Sequence, residues 1–165
     1  MFERKEISTD KLFAAMVRLN DKNDGIDVYL VNNQDVEYSK VVVFTGGNMT
    51  IDEDLLETGK SYRKPKILHA NSSLIIDYTD MYEIDDVLVW YHIDLYQKGS
   101  TVPIKLTFSL YKGISFIFKK PENLRLLNKE GYMIPLTLRE QTGIPIKEEI
   151  KGMSLDPKYH KSIKD

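Results

Sequence analysis

Cysteine is absent from the 165 residues of this chain. The absence excludes disulfide frameworks, cysteine-ligated zinc, iron–sulfur clusters and thiol nucleophiles, and it fits a reducing compartment. No apolar run approaches the length of about 18 residues that spans a bilayer. The first six residues mix charges and lead into no secretory-signal core. We therefore expect a cytoplasmic protein with no membrane span.

An excess of one charge is also missing, because 23 Lys and Arg face 25 Asp and Glu. This balance makes nucleic acid and anionic membranes poor candidates for a partner. The sequence has no nucleophile elbow, Gly-rich phosphate loop, dinucleotide fingerprint or His-Glu-x-x-His motif. We predict no cofactor, and a non-catalytic protein is favoured over an enzyme.

Hydrophobic residues make up 42% of the chain, and many alternate with polar ones. The segments 87–96 and 101–111 have this period of two, which is typical of strands with one buried face. A two-residue loop at 98–99 would place Leu95 opposite Val102 and Ile93 opposite Ile104. Every pair on that face is apolar, so the sequence predicts a β-hairpin.

Further strands are predicted at 26–32, 38–45, 73–78, 114–118 and 134–139, where Val, Ile, Tyr, Phe and Thr are frequent. Short strands without long intervening helices predict a mainly β fold, an antiparallel β-sandwich. At the level of fold class the pattern resembles an immunoglobulin-type or fibronectin-type sandwich, although the cysteine pair of the former is missing.

Three segments are less regular. Residues 9–20 fit either a helix or a strand that pairs with 26–31, and of the two we favour the strand. A short helix is predicted near 121–130, with Gly131 as its C-terminal cap. We therefore expect one domain over 1–140, followed at 141–165 by an edge segment and a partly mobile tail, because the prolines there do not suit a central strand.

One strand face combines aromatic and titratable side chains that point away from the predicted core. Aromatic rings on an open sheet face can stack on sugars or anchor a protein partner. His and Asp two residues apart on a strand point in parallel and do not converge, which argues against a catalytic pair. The predicted binding face consists of Trp90, His92, Asp94, Tyr96 and Tyr111.

Two charged segments are further candidate sites. Five carboxylates between two strands offer hard oxygen ligands for Ca²⁺, although their spacing matches no known metal loop and a solvated loop explains them as well. Four cations around one Tyr suit an acidic protein partner, or less well single-stranded nucleic acid. The acidic loop comprises Asp77, Asp80, Glu83, Asp85 and Asp86, and the basic loop comprises Lys60, Tyr62, Arg63, Lys64 and Lys66.

These observations predict a non-catalytic protein-interaction module, a component of a multi-protein assembly. Two alternatives belong to other classes. The first is a carbohydrate- or Ca²⁺-binding module that uses the aromatic face or the acidic loop. The second is a small hydrolase that uses His92 and Asp94.

Overall fold

A computed structural model describes residues 10–51, 54–57, 61–110, 120–139 and 154–155. Within these residues the chain is mainly β, as predicted, and it forms two sheets in which nearly all strand pairs are antiparallel. The predicted strand at 114–118, Tyr111, Lys60 and all of the predicted tail except 154–155 lie outside the described residues. In the described part of the chain, no helix combines the length and the apolar character needed to cross a membrane.

Thirteen strands and one helix occur in the described residues. In chain order they are β1 (Leu12–Arg18), β2 (Gly25–Asn32), β3 (Tyr38–Ile51), β4 (Asp54–Glu57), β5 (Ser61–Tyr62), β6 (Lys66–Leu68), β7 (Ser72–Asp80), α1 (Met81–Asp86), β8 (Leu88–Gln97), β9 (Ile104–Leu110), β10 (Glu122–Leu124), β11 (Lys129–Ile134), β12 (Thr137–Leu138) and β13 (Ser154–Leu155).

The strands are divided between a five-stranded and an eight-stranded sheet. The five-stranded sheet has the order β10-β11-β1-β2-β7, so that β7 lies at one edge. In the eight-stranded sheet the order is β12-β9-β8-β3-β5-β13, and β4 and β6 also pair with β3. The short strands β4, β5 and β6 run back along β3 one after another, each antiparallel to it. The pair formed by β5 and β13 is parallel.

One cluster of buried apolar side chains draws residues from both sheets. Met16 and Leu30 belong to the five-stranded sheet, while Val43, Ile93 and Leu106 belong to the eight-stranded sheet. The alternation predicted for β8 is confirmed, because its apolar residues Val89, Tyr91, Ile93 and Leu95 are all in this cluster.

The first hairpin settles the open choice for residues 9–20 in favour of a strand. β1 pairs with β2 over its whole length. The turn between them is held by Asp21, whose Oδ1 accepts hydrogen bonds from the backbone N–H groups of Asn23 at 3.1 Å and Gly25 at 2.8 Å. A short carboxylate side chain that bonds to nearby backbone is typical of such turns.

The β8–β9 hairpin is present, but its predicted register is wrong by two residues. Leu95 lies opposite Ile104 and not Val102. The Ser100 hydroxyl accepts a hydrogen bond from the backbone N–H of Val102 at 3.3 Å, which keeps this stretch in the connection and out of the strand pair. A shift of two residues leaves every side chain on its predicted face.

The predicted helix near 121–130 is replaced by the β10–β11 hairpin. Leu124 pairs with Lys129, and the turn between them has Asn128 at a positive φ of 49°. Gly131 is not a helix cap, because it lies within β11. A Cβ atom there would come within 2.7 Å of the backbone oxygen of Met16, so the close approach of β11 to β1 requires glycine.

Candidate functional site

The two charged segments that the sequence presents as separate loops meet inside the protein. Arg63 follows β5 and Asp77 lies in β7. Their Nη2 and Oδ1 atoms are 2.9 Å apart, and the two side chains are 7% and 6% exposed. Neither group is therefore available to a partner at the surface, as the predicted basic and acidic loops would require.

The Arg63 guanidinium is held by several protein oxygens. In addition to the Asp77 carboxylate, Nη1 donates to the Ser61 hydroxyl at 3.1 Å and Nε donates to the backbone carbonyl of Ile76 at 3.3 Å. Ile76 is left out of the pairing between β2 and β7, where the register shifts. This bulge allows two consecutive residues, Ile76 and Asp77, to be buried together.

The Asp77 carboxylate also links the two sheets. Its Oδ2 accepts a hydrogen bond from the Tyr91 hydroxyl at 2.5 Å, and Tyr91 lies on β8 of the other sheet. Its Oδ1 accepts a second bond from the backbone N–H of Tyr78 at 2.8 Å. The Tyr91 ring stacks on Phe108 with centroids 4.6 Å apart. We call Arg63, Asp77 and Tyr91 the inter-sheet triad.

The other predicted acidic residues do not form one loop. Asp80 ends β7, while Glu83, Asp85 and Asp86 belong to α1, and the side chains of these three lie outside the described part. Among the side chains that are described, no group of three or more His, Asp or Glu is placed to hold a metal ion.

The remaining basic residues are at or near the surface. Tyr62 in β5 and Lys66 in β6 are half-buried, and Lys64 is exposed. Within the described residues, neither lysine has an acidic partner. Arg63 is thus neutralised in the interior, whereas the described part of the chain offers the two lysines no counter-charge.

A cleft opens beside the two lysines, between β3 and β7. It encloses about 20 Å³ and is lined by Val41, Val43, Arg63, Lys64, Lys66, Leu74, Ile75 and Ile76. That volume accommodates about one or two water-sized groups. Both strands at its mouth, β6 and β7, have a paired strand on one side only within the described residues. We call this feature the lysine cleft.

The predicted aromatic face is brought together in part. The rings of Trp90 and His92 lie with centroids 4.5 Å apart, and both residues are half-buried, as is Tyr96. Trp90 lies over Gly46, where any Cβ atom would overlap the indole ring. Gly46 and its neighbour Gly47 both lie within β3 and pair with β8.

Asp94 differs from the rest of this face because it is fully buried. Its Oδ1 accepts a hydrogen bond from Arg139 Nη2 at 2.8 Å. Arg139 is positioned by its own backbone N–H, which donates to the carbonyl of Lys105 at 2.8 Å. Lys105 lies directly opposite Asp94 on β9. Sequence reasoning did not find Arg139, because nothing near it in the chain indicates which carboxylate it reaches.

Two titratable groups away from these clusters have shifted pKa values. Burial raises the pKa of Asp27 on β2, although the nearby Lys129 and a hydrogen bond with Tyr29 partly oppose this. Burial also raises the pKa of the Tyr38 hydroxyl, against a hydrogen bond with Gln34 that lowers it. Burial is the largest cause of both shifts, and burial alone does not indicate a catalytic site.

Comparison of the chain with models of known protein families and with curated protein sequences finds no match.

Proposed function

We propose that this chain is a non-catalytic protein-interaction module and a component of a multi-protein assembly in the cytoplasm. We further propose that its two sheets pack face to face as a β-sandwich with immunoglobulin-like architecture. The shared apolar cluster and the hydrogen bond from Tyr91 to Asp77 between the sheets support this packing.

The observation that carries the interaction proposal is the exposure of two large aliphatic side chains on strands at the lysine cleft. Ile67 of β6 is 51% exposed and Ile75 of β7 is 45% exposed. Unpaired strand edges with exposed β-branched residues readily take another chain, and natural proteins usually protect them with charge or cover. Their place beside an apolar cleft supports contact with another protein.

The polar clusters are better explained by a role in stabilising the fold than by a role in catalysis. Arg63 and Asp77 are enclosed between elements of both sheets, and Asp94 binds Arg139. Catalytic groups have to converge where a substrate can reach them. His92 does not share an accessible pocket with Asp94, since the Asp94 carboxylate is buried. This arrangement favours the interaction module over the small hydrolase.

The carbohydrate-binding alternative would use Trp90 and His92. We place it second because Val42 and Phe44, which lie opposite Asp94 and His92 in the neighbouring strand, are buried and leave little open sheet around the rings.

The proposal is tested by cross-linking the tagged chain in its own cells and quantifying what it carries. We expect one protein in near-equal molar amount, bound through a defined set of cross-links. Recovery of no such partner would contradict the proposal. The alternatives are tested separately, because a glycan or Ca²⁺ that binds only the native state raises its melting temperature. Such a rise without a protein partner would favour them.

A further inference from the structure

We infer that the lysine cleft binds an extended, acidic segment of a partner protein, which places one branched aliphatic side chain in the cleft. This inference rests on the proposed interaction function and names the chemistry of the partner. The complementary features are two cations and a strand edge that have no partner among the described residues, together with an apolar floor.

The charge that the cleft presents depends on which of its cations are already paired with a carboxylate of the protein. The guanidinium of Arg63 is bound by Asp77, so it adds little net attraction for an outside ligand. Lys64 and Lys66 remain, with no acidic partner in the described parts of the chain. Pro65 between them favours extended backbone at Lys64, and residues two apart in an extended segment point to the same side. Two carboxylates with the same spacing would match them.

The floor of the cleft sets the kind of side chain that fits. Val41, Val43, Leu74 and Ile76 supply apolar walls, and the exposed Ile75 extends the apolar surface outwards. A volume of about 20 Å³ suits the end of a Val or Ile side chain and is too small for an aromatic ring. Burial of such a side chain supplies affinity that charge alone does not.

The backbone next to the cleft restricts where an added strand can pair. Along β7, the carbonyl of Ile76 accepts from Arg63 and the N–H of Tyr78 donates to Asp77, so both groups are already occupied. β6 has no such cover, because within the described residues it pairs with β3 alone. We therefore place the partner strand along Lys66–Leu68, in the manner of strand addition.

Single-stranded nucleic acid fits this surface less well. Binding to a phosphate backbone gains strength with each cation that neutralises a phosphate, and here two lysines are available beside an aliphatic cleft. Stacking platforms for bases need accessible aromatic rings, and Tyr62 is half-buried.

The inference is tested by selecting a phage-displayed library of random peptides on the immobilised full-length chain. We expect enrichment of peptides in which Val or Ile is flanked by Asp and Glu. A synthetic copy of the most enriched peptide should bind the Lys64→Glu/Lys66→Glu variant at least about tenfold more weakly. Its affinity should also fall as the salt concentration rises. The control variant Lys98→Glu/Lys120→Glu has the same change in charge at exposed positions and should bind within about twofold of the wild type.

A pool without acidic residues, or binding that survives the Lys64→Glu/Lys66→Glu change, would overturn the inference. So would a short DNA oligonucleotide that binds through the same two lysines when no peptide is enriched. If cross-linking recovers a stoichiometric partner while the peptide selection fails, the interaction function stands and only the site is wrong. Melting temperatures of both double variants confirm that each is folded.

Discussion

Two contacts between a basic and an acidic side chain have nearly the same length and very different surroundings. Arg63 and Asp77 lie 2.9 Å apart with side chains 7% and 6% exposed. His69 and Glu37 lie 2.8 Å apart with side chains 68% and 54% exposed. The first pair is enclosed between elements of the two sheets, and the second lies at the surface just outside β6 and β3. Distance alone does not distinguish them.

The difference lies in what happens to each charge when its partner is removed. At the surface, water and salt replace the lost partner, so exposed pairs contribute about 0–1 kcal/mol. In the interior, removal of one partner leaves an uncompensated charge, which costs about 3–5 kcal/mol. The inter-sheet triad therefore acts on the stability of the whole fold, whereas the exposed pair acts on a local contact.

The largest effect is expected from Asp77→Ala. It leaves the Arg63 guanidinium buried without its counter-charge and removes the acceptor of the Tyr91 hydroxyl, so the free energy of unfolding should fall by about 3–5 kcal/mol. Urea unfolding followed by circular dichroism measures this change. The double variant Arg63→Met/Asp77→Leu should recover much of the loss, because apolar pairs can replace buried ion pairs. If the double variant recovers no stability, the hydrogen-bonded arrangement of these groups, and not only their balance of charge, holds the two sheets together.

Tyr91→Phe separates the hydrogen bond from the ion pair. The ring and its stacking on Phe108 remain, but the carboxylate of Asp77 loses one donor. A hydrogen bond to a charged group contributes about 1.5–3 kcal/mol, and the free energy of unfolding should fall by that amount. A fall below about 0.5 kcal/mol would mean that water takes over the role of the hydroxyl.

Glu37→Gln tests the exposed side of the comparison. The variant replaces the carboxylate that contacts Nδ1 of His69 by a neutral amide, and the free energy of unfolding should fall by less than about 1 kcal/mol. The urea titration is run for both proteins at low and at high salt. At high salt the wild type and the variant should have nearly equal stabilities, since salt screens exposed charges. A loss as large as that of Asp77→Ala would refute the distinction between the two pairs.

Asp27→Asn should have the smallest effect on stability. It should raise stability at neutral pH, whereas the other variants lower it. Because burial raises the folded-state pKa of Asp27, the folded state holds its proton more tightly than the unfolded state. The contribution of this group to stability is therefore greatest at acid pH and is lost as the pH rises from the ordinary aspartate pKa of 3.8 through the raised pKa.

The variant lacks this loss, so its melting temperature should exceed that of the wild type at neutral pH, and the gap should close in acid. Melting temperatures of both proteins across that pH range test the sign. A variant that is less stable than the wild type at neutral pH would show that the hydrogen bond with Tyr29 outweighs burial.

The strands were predictable where the signal is local. Alternation along β8 and β9 assigns each side chain to its face, and the turn material at 23–25 joins β1 to β2. The register of β8 and β9 was not predictable to the residue, because a shift of two keeps every face unchanged and only the geometry around Ser100 decides it.

The triad was not predictable, because its members meet through pairings between distant strands. Arg63 is positioned by β5 against β3, and Asp77 by β7 against β2. The bulge at Ile76 then allows Asp77 to be buried. The sequence around Asp77 and around Arg63 gives no sign that either side chain will be buried. The helix predicted near 121–130 failed for a related reason, since contacts of β11 with β1 override local helical preference.

Trp90 is the single tryptophan of the chain, and it lies where β8 crosses Gly46 of β3. Intrinsic tryptophan fluorescence will therefore come from one point in the fold. At this point Trp90 pairs with Gly46, which is 44 positions away in the chain. A stopped-flow refolding experiment that follows this signal will time the closure of a long-range contact, and circular dichroism will time the strands as a whole. Whether the two traces coincide will show if the centre of the eight-stranded sheet forms together with its edges or ahead of them.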